Sequence, residues 1–175
     1  TLGGTVLVAQ CQGAGDEKGK AETIGMIYSV TAVAAFIVTT AGLFIYHPLL
    51  QAMNVPPESM RDACDYMRVI LMGTFFVFGY NATCAIFRGC GDSVQPLLFV
   101  GIATVINVVL DYFLVGTMRM GTPGAAYATV LSQGISFAIA FVRLKKQETF
   151  SGFRPRIFAI KMNRLVAMWR ISLPT

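Results

Sequence analysis

Asp111 is the residue whose type and position in this 175-residue sequence most suggest chemistry. It is the single charged residue between Asp92 and Arg119, in a stretch that is otherwise apolar or uncharged. Asn107 precedes it by four residues, so on a helix the two side chains share a face, one turn apart. A carboxylate beside an amide oxygen supplies the oxygen ligands that hard cations prefer. The pair therefore predicts a site for a cation or a proton.

If the uncharged stretch around Asp111 spans a membrane, the position of Asp111 allows two interpretations. A carboxylate in the middle of a bilayer costs about 3 kcal/mol or more, so it normally faces a bundle interior or a water-filled cavity. Counted from Pro96, however, Asp111 lies off-centre toward the outer end of its predicted helix. The sequence therefore also allows a carboxylate that reaches the outer headgroups.

Other polar residues of the predicted spans are weaker indicators. Asn81 lies deep in an apolar segment, where an amide either joins helices by hydrogen bonds or serves as a ligand. Thr129, Ser132 and Gln133 follow on a later segment. Hydroxyl groups on a helix can bond to their own backbone, so each is weak evidence when taken alone.

Catalytic and cofactor-binding patterns are not found in the sequence. His47 is the only histidine, it lies beside Pro48 at a predicted membrane edge, and no nucleophile is placed to use it. The loops 13–16 and 89–92 share a Gly-x-Gly-Asp pattern but lack the Gly-Lys-Ser/Thr of a phosphate-binding loop. The four cysteines lack the close pairing of a zinc site. We therefore expect no catalytic residue and no cofactor, and any transport would have to be driven by an ion gradient.

Long uncharged stretches predict membrane-spanning helices. Only 13% of residues are charged, and none lies in the 35 residues between Glu22 and Glu58. About 20 apolar residues span the hydrocarbon, and backbone groups there must be satisfied within the segment, which favours helices. The sequence thus predicts an all-α polytopic membrane protein, with a short remnant of a span followed by full ones. The five helices are expected at 1–12, 21–50, 57–87, 96–116 and 125–143, followed by a linker at 144–170 and the start of a further span at 171–175.

The distribution of cations predicts the orientation. Loops after the first, third and fifth segments hold eleven of the fourteen Lys and Arg residues, and the opposite loops hold Arg61, Arg68 and Arg119. The positive-inside rule places the eleven in the cytoplasm. The basic linker is expected either to lie on anionic headgroups or to be solvated. No basic stripe with interleaved aromatic residues indicates nucleic-acid binding.

Several motifs together resemble the multidrug and toxic compound extrusion (MATE) family. The resemblance covers nearly the whole chain, and its motifs occur in the same order and at similar spacing. They are Val8-Ala-Gln10 with Gly13-Ala-Gly-Asp16, the run from Asn81 through Arg88-Gly-Cys-Gly-Asp-Ser93 to Pro96, Asn107-Val-Val-Leu-Asp111, Gly121-Thr-Pro-Gly-Ala-Ala-Tyr-Ala-Thr129, and Ser132-Gln133.

The resemblance implies a fold and a mechanism. The family has twelve helices in two six-helix lobes, so residues 1–143 would be the end of helix two through helix six of the N-terminal lobe. Members exchange Na⁺ or H⁺ for amphipathic, often cationic drugs by alternating access. Matching residues imply a cation site formed by Asn107, Asp111 and Thr129, with Asn81 as a further candidate, and these first three would hold Na⁺ if Na⁺ is the ion. A carboxylate of helix one, outside this sequence, often completes the site, so the ion stays open.

The resemblance also implies partners and a location. We expect small-molecule drug substrates, a surrounding lipid bilayer, a monomeric full-length protein and a multi-pass position in the bacterial inner membrane. An alternative is a flippase of lipids or lipid-linked oligosaccharides from the related superfamily, but such a cavity would need cations to meet a pyrophosphate. The membrane part of the third predicted helix is near Val69 to Phe87, so no Lys or Arg lies within the membrane part of a predicted span, which favours drug export. A non-transporting scaffold is a third hypothesis, against which the intramembrane Asn and Asp residues argue.

Overall fold

A computed structural model describes residues 2–146, and this part of the chain is helical throughout, apart from short turns, and contains no strand. The prediction of an all-α protein is confirmed for these residues. The elements are α1 (Leu2–Gly13), α2 (Glu17–Ala52), α3 (Pro57–Gly89), α4 (Val94–Asp111), a π-helical segment (Tyr112–Thr117) and α5 (Gly121–Lys146).

The two Gly-x-Gly-Asp loops form the same turn. Gly15 and Gly91 adopt positive φ angles of 67° and 85°, which glycine takes without strain. The residue after each glycine donates its backbone N–H to the carbonyl five positions earlier, from Asp16 to Cys11 and from Asp92 to Phe87, at 3.0 Å in both cases. Each loop thus closes the preceding helix with a left-handed residue and a 6→1 hydrogen bond.

The aspartate of each loop then accepts hydrogen bonds from the first turn of the next helix. The Oδ1 atom of Asp16 accepts the backbone N–H of Gly19 at 2.8 Å. The Oδ1 atom of Asp92 accepts the N–H groups of Val94 and Gln95, each at 3.1 Å. These bonds satisfy donors that the first turn of a helix leaves unpaired.

The helix boundaries differ in places from the predicted ones. Helix α2 starts at Glu17 rather than 21 and continues through Pro48 to Ala52, and α5 covers 121–146 rather than 125–143. The segment predicted as one helix at 96–116 becomes π-helical after Asp111. The first residues of the predicted linker 144–170 belong to α5, while its remainder and 171–175 lie outside the described residues.

Four of the helices are long and apolar enough to cross a membrane. Their lengths, from 24 to 36 residues, exceed the roughly 20 residues that a bilayer requires. These four segments are Glu17–Ala52, Pro57–Gly89, Val94–Thr117 and Gly121–Lys146.

Helix α3 lies at the centre of the bundle and approaches its neighbours closely at glycines. A Cβ atom at Gly73 would overlap the side chain of Val130 of α5, and one at Gly79 would lie 2.9 Å from Phe137 of the same helix. Because both contacts advance together along the chain, α3 and α5 run parallel. A Cβ atom at Gly89 would lie 2.8 Å from the backbone oxygen of Thr5, which fixes the approach of α1.

Helices α4 and α5 form an antiparallel pair. The hydroxyl of Ser136 donates to the carbonyl of Phe99 at 3.4 Å. Near the opposite end, a Cβ atom at Gly124 would lie 3.3 Å from Val115. These two contacts fix the register, so that Asn107 of α4 lies level with Thr129 of α5.

Candidate functional site

Asp111 lies on the face of α4 that packs into the bundle. Buried and half-buried residues recur along this helix every four positions, at Phe99, Ala103, Asn107 and Asp111. The neighbouring Tyr112 points away and is 78% exposed. This spacing is that of an amphipathic helix with one packed face. The inward interpretation of Asp111 is therefore favoured over a carboxylate that faces the acyl chains.

The side chains of Asp111 and Asn107 each present a buried atom that is not hydrogen-bonded. Within residues 2–146, Asp111 Oδ1 and Asn107 Nδ2 are inaccessible to solvent and have no hydrogen-bond partner. Most buried polar atoms in proteins are paired, because an unpaired one costs free energy. The two residues lie one turn apart, so an acceptor and a donor are presented together on one face of α4.

Thr129 stands opposite this pair on α5. It is half-buried, and its hydroxyl donates to the carbonyl of Ala125 at 3.0 Å. The hydroxyl oxygen retains the capacity to accept a bond or to bind a cation. The register places Thr129 level with Asn107, and Asp111 lies about one turn further toward the outer end.

The three side chains lie on one flank of the α4–α5 pair. On α5, small buried residues recur at every fourth position, at Gly124, Ala128, Ser132 and Ser136. The two ends of this row contact the α4 segment, Gly124 at Val115 and Ser136 at Phe99. Thr129 follows the row by one position. On α4, Asn107 and Asp111 are rotated in the same sense from Phe99 and Ala103, because each spacing of four residues advances about 40° beyond a full turn. In an antiparallel pair of right-handed helices, displacements of the same sense fall on the same flank.

Asn81 lies apart from these three residues. It is exposed, and its Nδ2 atom donates to the carbonyl of Val77 in its own helix at 2.8 Å. The parallel register of α3 and α5 places Asn81 nine or ten residues beyond the level of Thr129, roughly 14 Å along the bundle. The helix register thus places Asn107, Asp111 and Thr129 at similar levels of the α4–α5 pair and Asn81 at a different level. The contribution of all four residues to a cation site stays a prediction.

Gln133 is a further polar residue of this flank that sequence reasoning undervalued. Its Oε1 atom is buried and unpaired within the described part of the chain. It follows Thr129 by four residues, so the two share a face of α5. The signal that could have found it is the matched spacing, since Asn107 and Asp111 have the same four-residue separation on α4.

The cysteines and the remaining buried charge lie elsewhere. All four cysteines of the described residues are free thiols, and no group of three or more potential metal-ligating residues occurs there. Lys20 is buried at the start of α2, where its ammonium donates to Gln12 at 2.8 Å and to Glu17 at 2.9 Å. This cation is satisfied by its neighbours, near the end of the bundle opposite Asp111.

Comparisons with known proteins identify the family. The MatE family model matches residues 1–113. The probable multidrug resistance protein YpnP of Bacillus subtilis (strain 168) is 33% identical over 151 residues, which are 86% of this chain and 34% of that protein. The chain therefore spans about a third of the length of this curated relative.

Solved structures have the same fold. A multidrug resistance MATE family transporter of the MOP superfamily in its inward-facing conformation matches with a TM-score of 0.89 and 27% identity, over 97% of this chain and 39% of that one. An outward-facing conformation of such a transporter matches with a TM-score of 0.87 and 27% identity, over 96% of this chain and 38% of that one. With its four membrane-length helices, this chain belongs to the MatE family and is part of a multi-pass membrane protein with the MATE fold.

Proposed function

We propose that the protein containing this chain exports amphipathic, cationic drugs in exchange for Na⁺ or H⁺. The observation that carries the proposal is the buried, unpaired carboxylate oxygen of Asp111 on the packed face of α4. Asn107 and Thr129 lie on the same flank within about one turn. The relatives named as multidrug resistance proteins supply the class of substrate.

In this proposal, neutralisation of Asp111 drives the exchange. One oxygen of the Asp111 carboxylate is buried without a hydrogen-bond partner, which is unfavourable, and a proton or Na⁺ from outside supplies that partner. The oxygens of Asn107 and Thr129 add ligands for a cation at the same place. Binding of the ion favours the conformation with low drug affinity, so the drug leaves. Linkage requires that the drug lowers the affinity for the ion by the same factor.

The comparison with two conformations supports movement of the lobe as a unit. The chain matches inward-facing and outward-facing transporters with nearly equal TM-scores of 0.89 and 0.87. A segment that rearranged internally between these states would match one of them clearly better. Alternating access by rigid-body rotation of a lobe accounts for the near equality.

The proposed location is the bacterial plasma membrane, with the full-length protein acting as a monomer.

In the described residues, the candidate site contains a carboxylate, amides and a hydroxyl and no Lys or Arg. A carrier of pyrophosphate-linked lipids would require cations there. The composition of the site therefore favours cationic cargo over a flippase.

Replacement of Asp111 by Asn in the full-length protein tests the proposal. We expect Asp111→Asn to abolish gradient-driven ethidium efflux while membrane insertion is retained. The amide keeps the shape of the side chain but carries no charge for an ion to neutralise. Efflux is measured in energised everted vesicles with imposed Na⁺ or pH gradients, which also identifies the ion. The matched control is Asp62→Asn on the exposed first turns of α3. Unchanged ethidium efflux by Asp111→Asn would remove Asp111 from the mechanism.

A further inference from the structure

Gln133 is a buried acceptor that the proposed ion site does not use. Its side chain is half-buried on α5, and Oε1 has no hydrogen-bond partner within residues 2–146. A buried amide oxygen of this kind is normally paired, because desolvation without a compensating bond is costly. The adjacent hydroxyls do not pair with it, since those of Thr129 and Ser132 donate to backbone carbonyls of α5.

Gln133 lies on the same flank as the ion site but deeper in the bundle. It follows the row of small buried residues on α5 by one position, as Thr129 does, one turn further along the helix. The contacts of Ser136 with Phe99 and of Gly124 with Val115 place Gln133 level with Ala103. Its level is therefore just over two turns, roughly 12 Å, from that of Asp111.

This separation is unsuited to binding one ion at both ends. A hard cation is bound by oxygens at about 2.3–2.6 Å, so ligands to one ion lie within a few ångströms of each other. A larger molecule can reach both levels, with its charge near Asp111 and a polar group near Gln133. The polar atoms of Asn107 and Thr129 lie between these two ends.

We propose that Gln133 determines substrate specificity by accepting a hydrogen bond from an N–H or O–H group of a cationic substrate. The inference rests on the proposed drug-export function and extends it to the chemistry of the cargo. Cations whose N–H or O–H donor reaches Gln133 while the charge stays near Asp111 gain this bond. Cations that lack N–H and O–H groups bind without it.

The test compares two probes on purified full-length protein. Ethidium carries two aromatic amino groups, whereas tetraphenylphosphonium has no N–H or O–H group. Gln133→Met retains the length and volume of the side chain but removes the acceptor. We expect the Kd of ethidium to rise about tenfold, as for loss of one buried hydrogen bond, and the Kd of tetraphenylphosphonium to change less than about twofold.

Two further variants make the result specific. Gln51→Met, at an exposed position near the end of α2, is the matched control and should leave both Kd values unchanged. Gln133→Glu keeps an acceptor and should retain tight ethidium binding, which keeps the test decisive if Gln133→Met folds poorly.

The outcomes separate this inference from the proposed function. An equal loss of affinity for both probes would mean that Gln133 has a packing role, and unchanged affinity for both would mean that no substrate contacts it; either result overturns the inference. If the wild-type protein bound neither probe, the drug-export proposal itself would fail, and the inference with it. That failure is distinct, because it appears before any change at Gln133.

Discussion

At the scale of single residues, the turn after α3 places a thiol within electrostatic range of a buried ammonium. Cys90 ends α3 outside the membrane-length segment and is half-buried. Burial raises the pKa of the Cys90 thiol, Lys20 opposes that rise, and Glu17 and Asp92 reinforce it. The net effect is a thiol that stays protonated at neutral pH and is a weak nucleophile.

Alkylation kinetics test this assignment. In a variant of the full-length protein whose other cysteines, including Cys11, Cys64 and Cys84, are replaced by alanine, Cys90 should react with N-ethylmaleimide more slowly at pH 7.5 than free glutathione. Because the pKa is raised, the rate should keep increasing with pH beyond the point where glutathione levels off. The Lys20→Met change should slow the reaction further, since it removes the group that lowers the pKa. Faster labelling in Lys20→Met would contradict the proposed balance of charges.

The sequence predicts a shared helix face best where two polar residues have helical spacing within an apolar segment. The four-residue interval between Asn107 and Asp111 predicted a shared face, and both residues lie on the packed face of α4. For Asn81 the sequence was not sufficient. Its position within α3 does not indicate which residues of α5 lie at the same level of the bundle. That level is set by close approach at Gly73 and Gly79, which depends on the three-dimensional packing of two distant segments.

At the scale of elements, glycines determine how closely the helices pack. Small residues at helix contacts allow backbones to approach in membranes, where packing rather than hydrophobic burial drives association. Gly89 is the strictest case, because the atom nearest to an added Cβ is the backbone oxygen of Thr5 rather than a flexible side-chain end. The contact between α1 and α3 is therefore expected to tolerate no added methyl group.

Gly89→Ala should accordingly destabilise the protein. Overpacking of a close contact costs about 1–3 kcal/mol, so we expect a lower melting temperature for the detergent-solubilised full-length protein. Gly101→Ala is the matched control, because a Cβ atom there would have no neighbour within 4 Å and α4 should accept it without loss. Equal melting temperatures for the two variants would show that α1 and α3 do not approach as closely as described.

Element boundaries were less predictable than the existence of the elements. Uncharged runs marked the membrane helices. Pro48 lies near the end of α2 as expected, but the helix ends at Ala52, two residues later than predicted. The π-helical turn after Asp111 left no trace in the hydropathy pattern. Its hydrogen bonds, such as that from the N–H of Met118 to the carbonyl of Phe113, depend on how α4 connects to α5.

At the scale of the whole molecule, exposed cations gather at one end of the bundle. Because α3 and α5 run parallel, Arg88 and Arg143 near their C-terminal ends lie at the same end of the bundle. Lys18, in the first turn of α2, lies there as well. The same end contains Gly15 and Gly91 in their matching turns. This arrangement agrees with the cytoplasmic side that the positive-inside rule assigns.

Cysteine accessibility tests this orientation in the full-length protein with its native cysteines replaced. A membrane-impermeant maleimide should label Ala14→Cys only in everted vesicles and Asn54→Cys only from outside intact cells. Both positions are exposed and lie in turns at opposite ends of α2. Each variant serves as the control for the other, and labelling of both from the same side would contradict the topology.

The π-helical segment after Asp111 contains about one residue more per turn than an α-helix of the same length would. Transfer of that residue along the chain would rotate the backbone beyond Asp111 by about 100°, the angle of one helical residue. The packed part of α4, with Asn107 and the contact to Ser136, would keep its place during such a shift. The π-helical turn would thus allow the connection to α5 to shift by one residue without moving the packed part of α4 on which Asp111 is held.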